Sequence, residues 1–188
     1  MIISLSGKKQ SGKTSVATYL MKEHGFSEVA FSGPLKEIIG RQLFGLTEAQ
    51  LYGKESDKER IDFRWNLSPR EILQKVGTDM FRNNFGKDFW VQLAISKIKE
   101  LQHKGIDVVV PDCRFPNELK TMKESGATTV RLIRSDYSSV DFHESEIALD
   151  NTSFDYDITA TTGQLENVYI VIDSIVTGKT NAVQVPIR

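Results

Sequence analysis

Gly7-Lys8-Lys9-Gln10-Ser11-Gly12-Lys13-Thr14 carries two glycines, a lysine and a hydroxyl at the spacing that cradles a chain of phosphates. Glycines let the backbone approach an anion closely, and successive N–H groups ahead of a helix form a nest for it. At this spacing Lys13 reaches the β- and γ-phosphates of a nucleotide, and the Thr14 hydroxyl ligates Mg²⁺. The residues read as nucleotide-contacting are Gly7, Lys9, Gln10, Ser11, Gly12, Lys13, Thr14 and Ser15. The alternative is a turn that merely opens an ordinary helix. The complete spacing argues against it, as does the context: an apolar run, Met1–Leu5, before the loop and a helical pattern, Ser15–Met21, after it.

A second constellation follows Val108-Val109-Val110-Pro111. Asp112 is a carboxylate at the carboxyl end of an apolar strand, where it can hold Mg²⁺ together with Thr14. Capping a turn is its competing use. Arg114 can grip an acceptor phosphate with two parallel hydrogen bonds, or form a surface ion pair. Glu118, four residues on, either pairs with Arg114 or touches a sugar hydroxyl. Further candidate cations are Lys36, Arg64, Arg70, Arg82, Arg131 and Arg134. Lys13, Arg114 and Arg131 are the set expected to neutralise a phosphoryl group in transit. Arg131 and Arg134 end a strand and lead into a polar stretch, about 134–147, that reads as a lid or as a solvated loop. His143 within it reads as a surface hydrogen-bonder, because an ionised acceptor phosphate requires no base.

These residues need a scaffold of alternating strands and helices. Strands are predicted at Ile2–Leu5, Glu28–Phe31, Asp107–Val110 and Thr128–Ile133, with a weak one at Asp157–Thr159. Helices are predicted at Pro34–Phe44, from Ser68 to about Met80, from Asp88 to about His103, at Pro116–Ser125 and at Gln164–Val176. Ser68-Pro69-Arg70-Glu71 is a capping box with proline at the first helical position. Trp90, Ala94, Ile98 and Leu101 share one helical face, as do Leu165, Val168, Ile172 and Ile175. Together with the phosphate loop, the pattern predicts an α/β chain: a P-loop NTPase three-layer fold with a mostly parallel five-stranded sheet. It reads as one domain over 1–188, with a substrate-covering helical or irregular insertion at about 45–90. Gly45–Asn66 is its polar, irregular part, and Gly178–Arg188 reads as a loosely held tail.

With 24 basic against 25 acidic side chains, no basic field points to nucleic acid. A single cysteine, Cys113, fits a reducing compartment. No apolar stretch approaches a membrane span, and the N-terminus does not read as a signal peptide, so a cytosolic protein is expected. No guanine-reading Asn-Lys-x-Asp is present, and a small chain with one phosphate loop and scattered arginines suits a small-molecule kinase.

Four segments in order resemble the deoxynucleoside monophosphate kinases of tailed bacteriophages. They are Leu5–Lys13, Phe31–Lys36, the stretch from Ser68 through Asp79 to Val91, and Val109–Arg114 with Glu118 following. A softer match lies in His143–Glu146. The resemblance implies transfer of the γ-phosphoryl group of ATP to a dNMP, with Mg²⁺, in the host cytoplasm. It also implies an acceptor pocket drawn from Lys9, Lys36, Arg70, Gln74, Gly77, Thr78, Trp90, Asp112 and Arg114. The Gln74 amide suits a base edge and the Trp90 ring a base or sugar, although both also fit amphipathic helix positions. A homodimer is compatible with the resemblance. Gly33 stands where some members carry an acidic residue, and the chain is short ahead of Ser68. Two other readings remain: another small-molecule kinase, such as one acting on dephospho-coenzyme A, and a nucleotide-binding module without turnover.

Overall fold

A computed structural model describes residues 1–136 and 144–178. Five parallel strands form one sheet: β1 (Ile2–Ser6), β2 (Ser27–Glu28), β3 (Val108–Val110), β4 (Thr128–Arg134) and β5 (Tyr156–Ala160). Their order is β2-β3-β1-β4-β5. The central strands β1 and β3 pair as Ile2↔Val108, Ile3↔Val109 and Ser4↔Val110. Both are buried along their whole length, as near-continuous apolar parallel strands require. The chain passes from β3 across β1 to β4, so the order reverses beside β1, and ligands of such sheets bind beyond the carboxyl ends at that point.

Backbone contacts divide the molecule into two compact units. The first contains Met1–Val29 and the described residues of Lys97–Arg188. Its core packs Ile3, Leu5, Val109, Val130 and Ile158 of the sheet against Val16, Ala17 and Leu20 of the helix Lys13–His24, and Val168, Val171, Ile172 and Ile175 of the helix Leu165–Thr177. Leu165 lies outside this face and packs beside Gly12 instead.

The second unit is Ala30–Ser96, and the insertion expected at 45–90 falls within it. Gly45–Asn66 is more ordered than expected: it holds short helices at Glu48–Tyr52 and Glu55–Glu59 and a bridge between Asp62 and Leu67. Thr47 and Gln50 cap each other reciprocally, which nucleates the first helix despite its polar composition. Ser68 and Glu71 form the anticipated capping box, with Pro69 in the first turn. The helix it opens is regular only over Pro69–Gln74 and continues as wider i→i+5 turns over Lys75–Arg82. Leu35–Leu43 is also wide-turned. Over two turns, one extra residue per turn is invisible to a 3.6-residue period, so sequence pattern could not reveal it. The glycines mark close approach: a Cβ on Gly77 would lie 2.6 Å from Leu35, and one on Gly40 2.6 Å from Leu51. The strand expected at Glu28–Phe31 pairs only over Ser27–Glu28, since Ala30 already accepts the Gly33 N–H in a turn. Among the described residues, no helix is long and apolar enough to cross a membrane.

Candidate active site

The loop leaving β1 owes its shape to backbone conformations that favour glycine. Gly7 has φ 139° and Gly12 φ 95°, and Gln10 between them is at φ 63°. A Cβ on Gly7 would lie 2.4 Å from the Leu132 carbonyl oxygen, so no side chain fits there. Gly12 ends the loop, and the helix Lys13–His24 begins with N–H groups that no side chain caps. Lys13 folds back over the loop: Nζ donates to the Gly7 carbonyl at 2.6 Å, the Lys8 carbonyl at 2.7 Å and Ser11 Oγ at 3.3 Å. Desolvation, reinforced by the nearby Arg114 charge, pushes its pKa down to about 8, with Glu146 and Asp112 opposing. Thr14 is exposed and Ser15 half-buried on the same turn.

Beyond β3, the Cys113 N–H donates to the Leu5 carbonyl at 3.2 Å and ties this turn to β1. The Cys113 thiol is buried, and desolvation pushes it well above the usual thiol range. Arg114 is positioned from behind. Glu118, 2% exposed, accepts the backbone N–H of Arg114 at 2.8 Å and of Phe115 at 3.0 Å, capping the helix Pro116–Glu124. The expected Glu118–Arg114 pair therefore runs through the backbone, because a carboxylate at the third helical position reaches back to the cap. The Arg114 guanidinium instead pairs with Glu146 on the short helix Glu144–Ile147, and Glu146 also accepts the Lys9 N–H at 2.7 Å.

Loop, Arg114, Arg131, Arg134 and Glu146 line one pocket of about 230 Å³. The structure puts Arg131 to a different use from the one expected. Its guanidinium makes a two-pronged contact with Asp157, at 2.8 and 2.5 Å, between strand neighbours in register, and stacks over Phe154. Those contacts make Arg131 a brace between β4 and β5. Arg134 takes the loop-facing position, donating to the Gln10 carbonyl at 3.3 Å and to Thr162. Residues 137–143 of the expected lid, His143 among them, lie outside the described residues, as do 179–188 of the tail.

The expected acceptor residues of the second unit fall into two groups. Lys36 sits over the Tyr52 ring at 4.6 Å, and Arg70 pairs with Glu55 and Glu59, each at 2.5 Å. Gln74 and Thr78 are exposed on the helix that starts at Pro69 and on its wide-turned continuation. Trp90 and Gly77 are packing residues instead. The Trp90 ring is 5% exposed, packs against Phe81 and Phe89, and donates Nε1–H to the Gly77 carbonyl at 3.0 Å. A buried indole satisfied by a backbone carbonyl offers no free face to a base.

Sequence reasoning missed Glu146 as part of the loop site. Its only signal was the soft match at His143–Glu146, with nothing local to say where that carboxylate points. Among the described residues, no group of three His, Cys, Asp or Glu side chains converges on a metal position. Asp112 is near enough to Lys13 to act on its titration.

A family model described as deoxynucleotide monophosphate kinase matches residues 53–172. A protein of Acanthamoeba polyphaga mimivirus, provisionally given that name, is 35% identical over 187 residues, covering 94% of this chain and 96% of its own. The deoxynucleotide monophosphate kinase of Enterobacteria phage T4 is 25% identical over 89% of this chain and 95% of its own. Among solved structures, dephospho-CoA kinase from Campylobacter jejuni superposes with TM-score 0.54 at 14% identity, over 94% of this chain and 98% of its own, a likeness of fold.

Proposed function

The chain belongs to the deoxynucleotide monophosphate kinase family, and from that membership we infer how its own residues carry the transfer of a phosphoryl group from ATP to a deoxynucleoside monophosphate. The observation that carries the reading is one pocket lined by Gly7, Lys8, Lys9 and Ser11 of the loop and by Arg114, with Lys13 folded onto those same loop residues. Backbone N–H groups of the loop hold the donor's phosphates. Lys13 leaves the loop carbonyls to follow the β- and γ-oxygens, recovering in phosphate contacts what it gives up in the loop. Thr14 and Asp112 are the residues that would hold Mg²⁺, which supplies charge neutralisation across those oxygens when bound. Arg114, fixed in place by Glu118, receives the acceptor phosphate.

Lys36, Arg70 and Gln74 are assigned to the acceptor nucleotide, the two cations to its charge and the amide to its base edge. Trp90 and Gly77 shape that unit from beneath, and Thr78 contributes a hydroxyl on the exposed side. Arg131 is a positioning residue that stiffens β4, and Arg134 is the cation that β4 presents to the loop. No side chain need remove a proton, since the attacking phosphate oxygen is already ionised at neutral pH. Catalysis consists of alignment and charge neutralisation.

The test is a panel of dNMP acceptors with ATP, followed by ADP release, for wild type and Arg114→Ala. The expected result is dNMP-stimulated turnover, with Arg114→Ala raising the acceptor KM more than it weakens ATP binding. Turnover with dephospho-coenzyme A alone would move the chain to the competing kinase reading. Equal loss of both ligands would remove Arg114 from the acceptor role.

A further inference from the structure

Glu146 is held as a bound anion would be. Its side chain is 6% exposed, one oxygen accepts a backbone N–H of the phosphate loop at Lys9, and the other pairs with the Arg114 guanidinium. Its charge also reaches Lys13. A loop amide, a guanidinium and a lysine are the partners that a phosphate oxygen recruits at such a loop. The residue is carried by a four-residue helix, Glu144–Ile147, whose neighbour Asp150 pairs with Lys8 of the same loop at 3.2 Å. The β4–β5 side of the pocket is therefore fastened to the loop through acidic side chains at two points.

We propose that Glu146 is an internal occupant of the phosphate site, a carboxylate that competes with the phosphate groups of the nucleotide for the Lys9 N–H and must swing away before they engage the loop. The proposal rests on the loop's reading as a phosphate site and adds a residue that sets the affinity threshold there. A monovalent anion gains one charge-assisted contact where the carboxylate already makes two, so it does not dislodge Glu146. A polyphosphate brings several ionised oxygens and does. The apparent affinity for polyphosphate is then the intrinsic affinity reduced by the fraction of molecules whose site is clear. If the carboxylate is in place in nine molecules of ten, the reduction is about tenfold.

The experiment is calorimetric titration of wild type, Glu146→Gln and Glu146→Asp with ATP and, separately, with inorganic tripolyphosphate, in the absence of any acceptor. Glutamine keeps the shape and removes the charge. Aspartate keeps the charge and retracts it from the Lys9 N–H. Glu146→Gln is expected to bind both compounds about tenfold more tightly than wild type, and Glu146→Asp to fall between. Thermal melts supply a second readout. The variants should melt lower than wild type without ligand, yet show a larger rise in melting temperature with tripolyphosphate. A residue that only props up Arg114 would weaken binding when changed. Unchanged or weaker polyphosphate binding by both variants, with wild type binding normally, overturns the proposal and leaves the kinase reading standing. Failure of wild type and variants alike to bind either compound removes the phosphate-site reading, and the proposal with it.

Discussion

Arg114 and Arg70 both pair with glutamate, and the settings differ. Arg114 pairs with a carboxylate that is almost entirely buried, at the end of a sheet whose strands are themselves buried. Arg70 pairs with Glu55 and Glu59 on a short polar helix, and all three side chains are between one-third and just over one-half exposed. Exposed pairs in water contribute roughly 0–1 kcal/mol, because solvent screens them and long side chains lose freedom in holding them. Losing one partner of a buried pair strands the other charge and costs about 3–5 kcal/mol. The same two side-chain types thus make a readily released grip in one unit and a firm one in the other.

The largest expected effect tests the firm end. Lys13→Ala should lower kcat by roughly 10²–10³-fold, the cost of removing one preorganised charge from phosphoryl transfer. A coupled ADP assay reads it, and a loss below tenfold would take Lys13 out of the chemistry. Next comes stability. Arg114→Ala should cost about 2–3 kcal/mol in urea unfolding, less than a fully buried pair because Arg114 is one-third exposed. Arg70→Ala should cost under about 1 kcal/mol. Equal costs would erase the contrast between the two grips.

Titration sharpens the comparison further. Without nucleotide, Lys13 loses its proton near pH 8, whereas phosphates favour the charged amine. ATP affinity should therefore be flat below about pH 7.5 and fall about tenfold by pH 9, with proton uptake on binding measurable in buffers of different ionisation enthalpy. The unfolded chain holds this proton up to its ordinary pKa of 10.5. For this group alone, the stability of the nucleotide-free fold then rises between pH 8 and that value. A pH-independent affinity would mean that Lys13 does not move to the phosphates. The smallest effect is expected at Trp90. Trp90→Phe removes the hydrogen bond to Gly77 and should cost about 1 kcal/mol of stability, with dNMP KM changed less than twofold. A large rise in KM would return the ring to the substrate.

The contrast also explains what was legible in the sequence. The firm end was readable because its parts are local: an apolar strand, a loop of fixed spacing, and a second strand ending in Asp112 and Arg114. Those signals imply a mostly parallel sheet, whereas its strand order appears only in the fold. Glu146 was not readable as a partner, since its distance from Lys9 in sequence is 137 residues and no periodicity encodes where a carboxylate points. The pairing of Arg131 was hidden for a related reason: only cross-strand register supplies Asp157. In the second unit, apolar spacing correctly put Trp90 on a buried face, while the functional reading drew it outward. Glu55 and Glu59 lie in the stretch that reads as polar and irregular, and only the capped turns of Gly45–Asn66 show that they have a direction.

The close approach between Gly7 and the Leu132 carbonyl has an evolutionary corollary. On the β4 side a main-chain atom sets the loop's contour, so the identity of residue 132 bears on the cradle only through the core in which it is buried, whereas position 7 admits no side chain at all. Homologues should exchange one apolar residue for another at 132 while leaving 7 untouched. A directed-evolution library that spares this one glycine and randomises its neighbour across the sheet should retain far more nucleotide binders than the reverse.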